Sequence, residues 1–225
     1  MMAVREPEPV AGLVALDRTS LRERAMGVLR GAVTSGEIAP GTRLVETELS
    51  AALGISRGTL REALRQLEYE GLLEVGERGR LTVRTLTDAE ILDVFAVRAA
   101  LEGLAASIVS ARPDRAALVA RLQAALADLE AAGGSITDTV EVDLAFHRLL
   151  CELTGNPTLV RTWEALTGPI RMSILFAGTD RALANLSAAR HRDLVDAIAT
   201  GDPDAAAASV EEHMRGAART LLGTE

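Results

Sequence analysis

The sequence predicts a mainly α-helical protein in two parts: an N-terminal winged helix-turn-helix and a C-terminal antiparallel bundle of helices. Three observations carry this. Of 225 residues 48% are hydrophobic but only 2% aromatic, so the cores must be built from Leu, Ala, Val and Ile, which suits packed helices better than sandwiches or barrels. The apolar period switches from helical to alternating once, around residues 72–83. From Thr87 onward the pattern is helical, broken at Pro113, Gly133-Gly134, Gly155-Asn156-Pro157, Gly178 and Gly201-Asp202-Pro203.

The elements follow in order. Residues 1–18 open with a charged, Pro-rich stretch and read as a disordered arm. Residues 19–84 form the first domain. Ser20 caps a helix over 21–35 whose apolar face is Leu21, Ala25, Val28, Leu29 and Ala32. A turn at Ile38-Ala39-Pro40-Gly41 leads to a short helix over 46–53, stopped by Gly54. Ser56 caps a third helix reaching Glu70, with Leu60, Ala63, Leu64 and Leu67 inward. Leu72, Leu73 and Val75, then Leu81 and Val83, flank a Gly-containing turn and make a small hairpin. Residues 85–225 supply six helices, over 88–111, 113–132, 137–154, 157–178, 181–200 and 203–222.

The net charge of −8 is unevenly held. Residues 1–86 carry 12 Arg against 12 acidic residues, whereas 87–225 carry 12 Arg against 20. All the excess acid lies in the second part, so the first is free to present arginine to phosphate. The single cysteine, Cys151, precludes an internal disulfide framework. No run approaches the ~20 apolar residues a membrane helix needs, and the opening lacks a secretory pattern. The expectation is a cytoplasmic protein with no membrane partner.

A recognition helix needs side chains near its start that reach base edges and phosphates, and Arg matches guanine and phosphate best. Ser56-Arg57-Gly58-Thr59-Leu60-Arg61 supplies them. Arg57 and Arg61 lie four apart, away from the apolar face, and Ser56 and Thr59 can donate to phosphate. In the hairpin turn, Arg78 and Arg80 flank Gly79, where backbone can approach DNA closely.

The stretch from Leu49-Ser50-Ala51-Ala52-Leu53-Gly54-Ile55-Ser56-Arg57 through Gln66-Leu67, followed by Glu70-Gly71-Leu72-Leu73, resembles the winged helix of the GntR family of bacterial regulators. The upstream Gly36…Pro40-Gly41-Thr42-Arg43-Leu44 is similar too. The resemblance implies DNA contacts at Ser56, Arg57, Thr59 and Arg61, with Gly79 at the wing tip. Gly58-Thr59 stands where many members have Thr-Pro, and Thr47 where some have a DNA-contacting Arg.

Only three histidines occur. His147 follows Asp143 by four residues on the face that carries Val140, Leu144, Leu150 and Cys151. His191 shares a stripe with Leu194, Val195 and Ile198, and His213 one with Val210, Met214, Ala217 and Leu221. One carboxylate and three imidazoles therefore point inward from three helices. A buried carboxylate costs several kcal/mol unless paired or metal-bound. A divalent cation satisfies all four, and such ligands suit Zn, Ni, Mn or Fe.

The second part also resembles the FCD ligand-binding domain of one GntR branch, through Arg98-Ala99-Ala100-Leu101-Glu102, Asp143-Leu144-Ala145-Phe146-His147 and His191-Arg192-Asp193-Leu194…His213. The resemblance implies metal ligands at Asp143, His147, His191 and His213, and a small carboxylate effector held by Arg98, with Arg171 a second candidate. The function expected is a homodimeric repressor, not an enzyme, that binds an inverted-repeat operator in double-stranded DNA. Two alternatives stay open at this point: the metal itself as signal, or a metal-dependent hydrolase.

Overall fold

The computed structural model describes residues 21–76, 79–132 and 135–224. The arm over residues 1–18, the Ser20 cap and Arg78 at the wing lie outside the described residues. The first domain comprises α1 (Leu21–Thr34), α2 (Glu46–Leu53), α3 (Arg57–Tyr69), β1 (Leu73–Val75) and β2 (Leu81–Val83). Ala25, Leu29 and Val33 of α1 turn inward along an i, i+4 row, which settles on α3. Leu21 and Val28, expected on that face, are more than half exposed, at 56% and 58%; the row that includes Val33 decides the facing. Leu60, Ala63, Leu64 and Leu67 of α3 are buried, as the sequence predicts.

β1 and β2 pair antiparallel, with Leu73 opposite Val83 and Val75 opposite Leu81. Residues 41–44 lie along the other edge of β2: Leu44 N–H donates to the Leu81 carbonyl at 2.9 Å, and Val83 N–H to the Thr42 carbonyl at 2.9 Å. The wing is thus tied to the turn that precedes α2, an added edge the sequence reading lacks.

The second domain comprises α4 (Asp88–Ser110), α5 (Arg115–Ala131), α6 (Ile136–Glu152), α7 (Pro157–Glu164), α8 (Thr167–Leu175), α9 (Thr179–Asn185), α10 (Ala188–Thr200) and α11 (Pro203–Leu222). Thr87 and Glu90 form a reciprocal capping box at the start of α4. Among the described residues, no helix is long and apolar enough to cross a membrane.

Two of the six expected helices are each broken. The segment over 157–178 divides into α7 and α8 because Pro169 has no N–H for the Ala165 carbonyl and its ring would meet it. The proline sits instead in the first turn of α8, where an N–H has no helical partner. The segment over 181–200 divides into α9 and α10. Ala182 and His191, nine residues apart, would face opposite sides of one straight helix, ~180° apart, yet both are fully buried. The break at Leu186–Ser187 lets each face the core.

α8 joins the domains. Its Met172 lies in the apolar cluster of the first domain with Leu29, Leu64 and Leu72, and Phe176 packs against it, while Ile170 and Ile174 belong to the core of the second. At its start, a Cβ on Gly168 would lie 1.4 Å from the Glu70 carbonyl oxygen, so only glycine allows this approach. Glu70 is held on its other side by Arg30, Nε to Oε2 at 3.0 Å and Nη2 to Oε1 at 2.8 Å. Gly168→Ala is therefore expected to separate α8 from the end of α3 at a cost of ~1–3 kcal/mol or more. A thermal melt equal to that of the unaltered protein would refute this contact.

Candidate functional site

Two regions hold the residues singled out from the sequence. At the start of α3, Ser56 caps the helix, accepting from Thr59 N–H at 3.1 Å, and its hydroxyl lies 2.9 Å from Thr59 Oγ1. Arg57 is exposed. Arg61 is also exposed but paired with Glu46 of α2, Nε to Oε2 at 2.7 Å. Gly79 in the wing has φ +68°, a backbone conformation that favours glycine.

The second region lies inside the helical domain. α6 presents Asp143 and His147, α10 presents His191 and α11 presents His213. His147 and His191 are buried and His213 partly so, with ligand atoms of the three within 4.8 Å of one another. Asp143, 2% exposed, places Oδ1 2.9 Å from His191 Nε2 and 3.8 Å from His147 Nε2. The structure thus gathers all four residues that the sequence proposed as ligands.

The ring nitrogens have defined roles. His147 Nδ1 faces Glu102 Oε2 at 2.6 Å, and His191 Nδ1 faces the Ser187 carbonyl at 3.0 Å. Both partners are acceptors, so each Nδ1 carries the proton. Each Nε2 is then left with a lone pair, and the two Nε2 atoms lie 3.1 Å apart, with the Asp143 oxygen beside them. Electron-rich atoms meet here without a proton between them unless one imidazole is charged. Burial foremost, then the neighbouring His147 and His191, hold the His213 pKa well below its ordinary value, which keeps a third nitrogen free. The set fits a divalent cation bound through nitrogen and carboxylate oxygen.

Behind His147 stands Glu102 of α4, fully buried, which sequence reasoning did not single out. Its Oε1 accepts from Trp163 Nε1 at 2.7 Å and from Arg98 Nε at 2.9 Å. Burial alone would raise its pKa, but Arg98, His147 and these hydrogen bonds hold it at about 2. For Asp143, burial also pushes upward, and the proximity of His147, His191 and Arg98 holds it well below the carboxylate range. The one signal for Glu102 in the sequence was the spacing of four residues from Arg98, which by itself reads as an ordinary surface pair.

Arg98 is 2% exposed, its Nη2 is buried without a hydrogen-bond partner among the described residues, and its guanidinium lies 5.1 Å from the Phe95 ring centroid. Arg171 is bound bidentately to Glu141 at 2.6 and 2.9 Å. Cys151 is buried, and burial first, then Glu102, push its pKa upward, so its thiol is inert. A cleft of about 470 Å³ between α10 and α11 opens beside His213, with Arg190 and Gly216 on its walls.

Comparison with known proteins matches two parts of the chain. The pattern of "Bacterial regulatory proteins, gntR family" matches residues 21–83, and that of the FCD domain matches residues 93–216. The chain is 29% identical over 199 residues to a protein of Paenarthrobacter nicotinovorans described as a probable D-xylose utilization operon transcriptional repressor, covering 88% of each chain. It is 30% identical to an uncharacterised HTH-type transcriptional regulator of Mycobacterium tuberculosis, covering 92% of this chain and 91% of the relative. Among solved structures, a putative GntR regulator from Rhodococcus matches with TM-score 0.71 and 25% identity over 91% of this chain and 98% of the other. E. coli McbR shares the fold, with TM-score 0.68 and 22% identity over 91% of this chain and 98% of that one. The Paenarthrobacter, Mycobacterium and Rhodococcus proteins are described as transcriptional regulators, not enzymes, and this chain belongs to the GntR family of transcriptional regulators, with an N-terminal helix-turn-helix and a C-terminal FCD domain.

Proposed function

We propose that the protein is a dimeric repressor that binds an inverted-repeat operator and whose affinity for it is set by a small carboxylate effector resting against a divalent metal. Asp143, His147, His191 and His213 hold the metal. The observation that carries this reading is the convergence of two unprotonated Nε2 atoms and one carboxylate oxygen, which a cation relieves in one step. The metal, when bound, supplies a Lewis-acidic centre for the oxygens of the effector. Arg98 supplies the counter-charge, since its buried Nη2 has no hydrogen-bond partner among the described residues. Arg171 would serve the effector only after leaving Glu141. The cleft beside His213 offers a route from solvent.

On the DNA side, Arg57 and Arg61 meet base edges or phosphates, with Ser56 and Thr59 donating to the backbone and the wing around Arg78 and Gly79 lying against it. Repression is favoured because relatives such as the Paenarthrobacter protein and the NanR proteins carry that description. Effector binding shifts the paired DNA-binding domains through α8, a coupling of ~1–3 kcal/mol.

Arg57→Ala is expected to weaken operator binding roughly 5- to 150-fold, the equivalent of ~1–3 kcal/mol, with metal content unchanged. Equal binding by both proteins at moderate salt would remove Arg57 from the interface. Titrating operator binding with metal alone, and then with metal plus a panel of carboxylic acids, tests the sensor. A response to metal with none to any acid would make the metal itself the signal.

A further inference from the structure

We propose that Trp163 is a positioning residue that ties the histidine centre to the far end of the recognition helix, so that an ion bound at the centre is felt at α3. The inference rests on the metal reading above and names the contacts through which α8 acts. Trp163 is the only tryptophan of the chain and is fully buried. Packing alone would use its ring and leave its N–H to any nearby acceptor. Instead, Nε1 donates to Glu102 Oε1 at 2.7 Å, while the other oxygen of the same carboxylate faces His147 Nδ1 at 2.6 Å. A carboxylate is planar and rigid. The indole and the imidazole on its two sides therefore cannot move independently without breaking a short buried bond.

The second half of the link is backbone. α7 holds eight residues, with Leu159 and Trp163 buried. Leu166 N–H donates to the Trp163 carbonyl at 2.9 Å, and Thr167 Oγ1 to the Glu164 carbonyl at 2.8 Å, which makes the corner into α8 short and stiff. Gly168 follows five residues after Trp163, and there α8 meets the Glu70 carbonyl. One residue on, a Cβ on Gly71 would lie 2.9 Å from Pro169 Cδ. Main chain and a proline ring offer no long side chain to absorb a displacement, and close-packed contacts transmit strain.

Glu70 and Gly71 in turn close α3, their N–H groups donating to the Gln66 and Glu68 carbonyls at 2.9 Å each. α3 spans 13 residues, about 20 Å, with Ser56 and Arg57 at its opposite end. A shift at Glu70 therefore re-aims the DNA-facing end as a rigid lever would.

Zinc added to the metal-stripped, full-length protein tests the link, with Trp163 emission and amide hydrogen exchange as readouts. In the unaltered protein zinc should shift the Trp163 emission maximum. It should also slow exchange at residues 70–72 about fivefold or more, the low end of coupling between sites. Trp163→Phe keeps a buried ring without a donor; it should bind zinc stoichiometrically and keep its protection over α6, yet lose that at 70–72. Unaltered protein that binds zinc with no change in emission, or with no slower exchange at 70–72, would overturn the link and leave the metal centre standing. The same follows if Trp163→Phe is protected at 70–72 as well as the unaltered protein, or loses protection over α6 and 70–72 alike, which would make the indole ordinary core. Protection arising at residues 81–86 instead would assign the signal to α4 and overturn the route. Protein that takes up no zinc would overturn the metal reading and this inference together.

Discussion

His191→Ala is expected to abolish stoichiometric metal binding and to destabilise the helical domain by ~3–5 kcal/mol. The residue is 0% exposed, and its Nε2 is the atom nearest to both other donors, 3.1 Å from His147 Nε2 and 2.9 Å from Asp143 Oδ1. Removing it does more than delete one ligand. Asp143 loses its closest polar neighbour while staying buried, and a charge left in an apolar interior without a partner is the costly case. A void also opens among Phe146, Leu194 and Val195, adding to the loss. For a protein of this size each kcal/mol moves the unfolding midpoint by ~2–4 °C, so a fall of roughly 6–20 °C is expected. His213→Ala provides the comparison: it too removes a ligand, but from a partly exposed site at the mouth of a cleft, and its structural cost should be smaller. Metal analysis after reloading, together with calorimetry, reads both. A His191→Ala protein that retains one metal per chain at unaltered affinity would remove the centre as described.

How much of this was legible beforehand depends on what each feature needs. The recognition helix was readable because its signals are local: the Ser56 cap, the i, i+3, i+4 spacing of Leu60, Ala63, Leu64 and Leu67, and the Gly54 stop. The four inward-facing polar residues were readable for the same reason, since each shares a helical stripe with aliphatic neighbours. What the sequence withheld was tertiary. The break between α9 and α10 exists because Ala182 and His191 must both face a core that only other helices define. The break before α8 had a local signal in Pro169, yet its use, placing Gly168 on the Glu70 carbonyl, depends on a contact some 100 residues away in sequence. Arg61 looked like a free cation on its helix and instead faces Glu46 from a different helix. Glu102 was hidden by its own chemistry: a glutamate four residues after an arginine reads as an ordinary surface pair, and only burial reveals that Arg98 and Glu102 together support a histidine.

Glu102 is the residue whose removal should separate support from ligation. It does not point its free lone pairs at the histidine nitrogens that converge; it faces the far side of His147 and fixes which nitrogen is protonated. Groups in that position typically alter metal affinity 10- to 100-fold, and Glu102→Gln is expected to fall in this range. The amide can still accept from His147 Nδ1–H, but the negative charge that makes the ring a better donor is gone. Glu102→Ala should be worse on both counts. It frees the imidazole to change tautomer, and it leaves the Arg98 charge buried, with a stability loss of ~3–5 kcal/mol. The native carboxylate has its pKa held at about 2 against an ordinary 4.5. Its stabilising effect is therefore complete above about pH 4.5 and drains away as pH falls toward 2, and Glu102→Gln should flatten stability over that window. Nitrogen NMR of the metal-free protein distinguishes positioning from mere packing: native His147 should report a protonated Nδ1, and Glu102→Ala a mixture of both tautomers. If the His147 signals are identical in the two proteins while stability alone falls, Glu102 serves the core and not the metal.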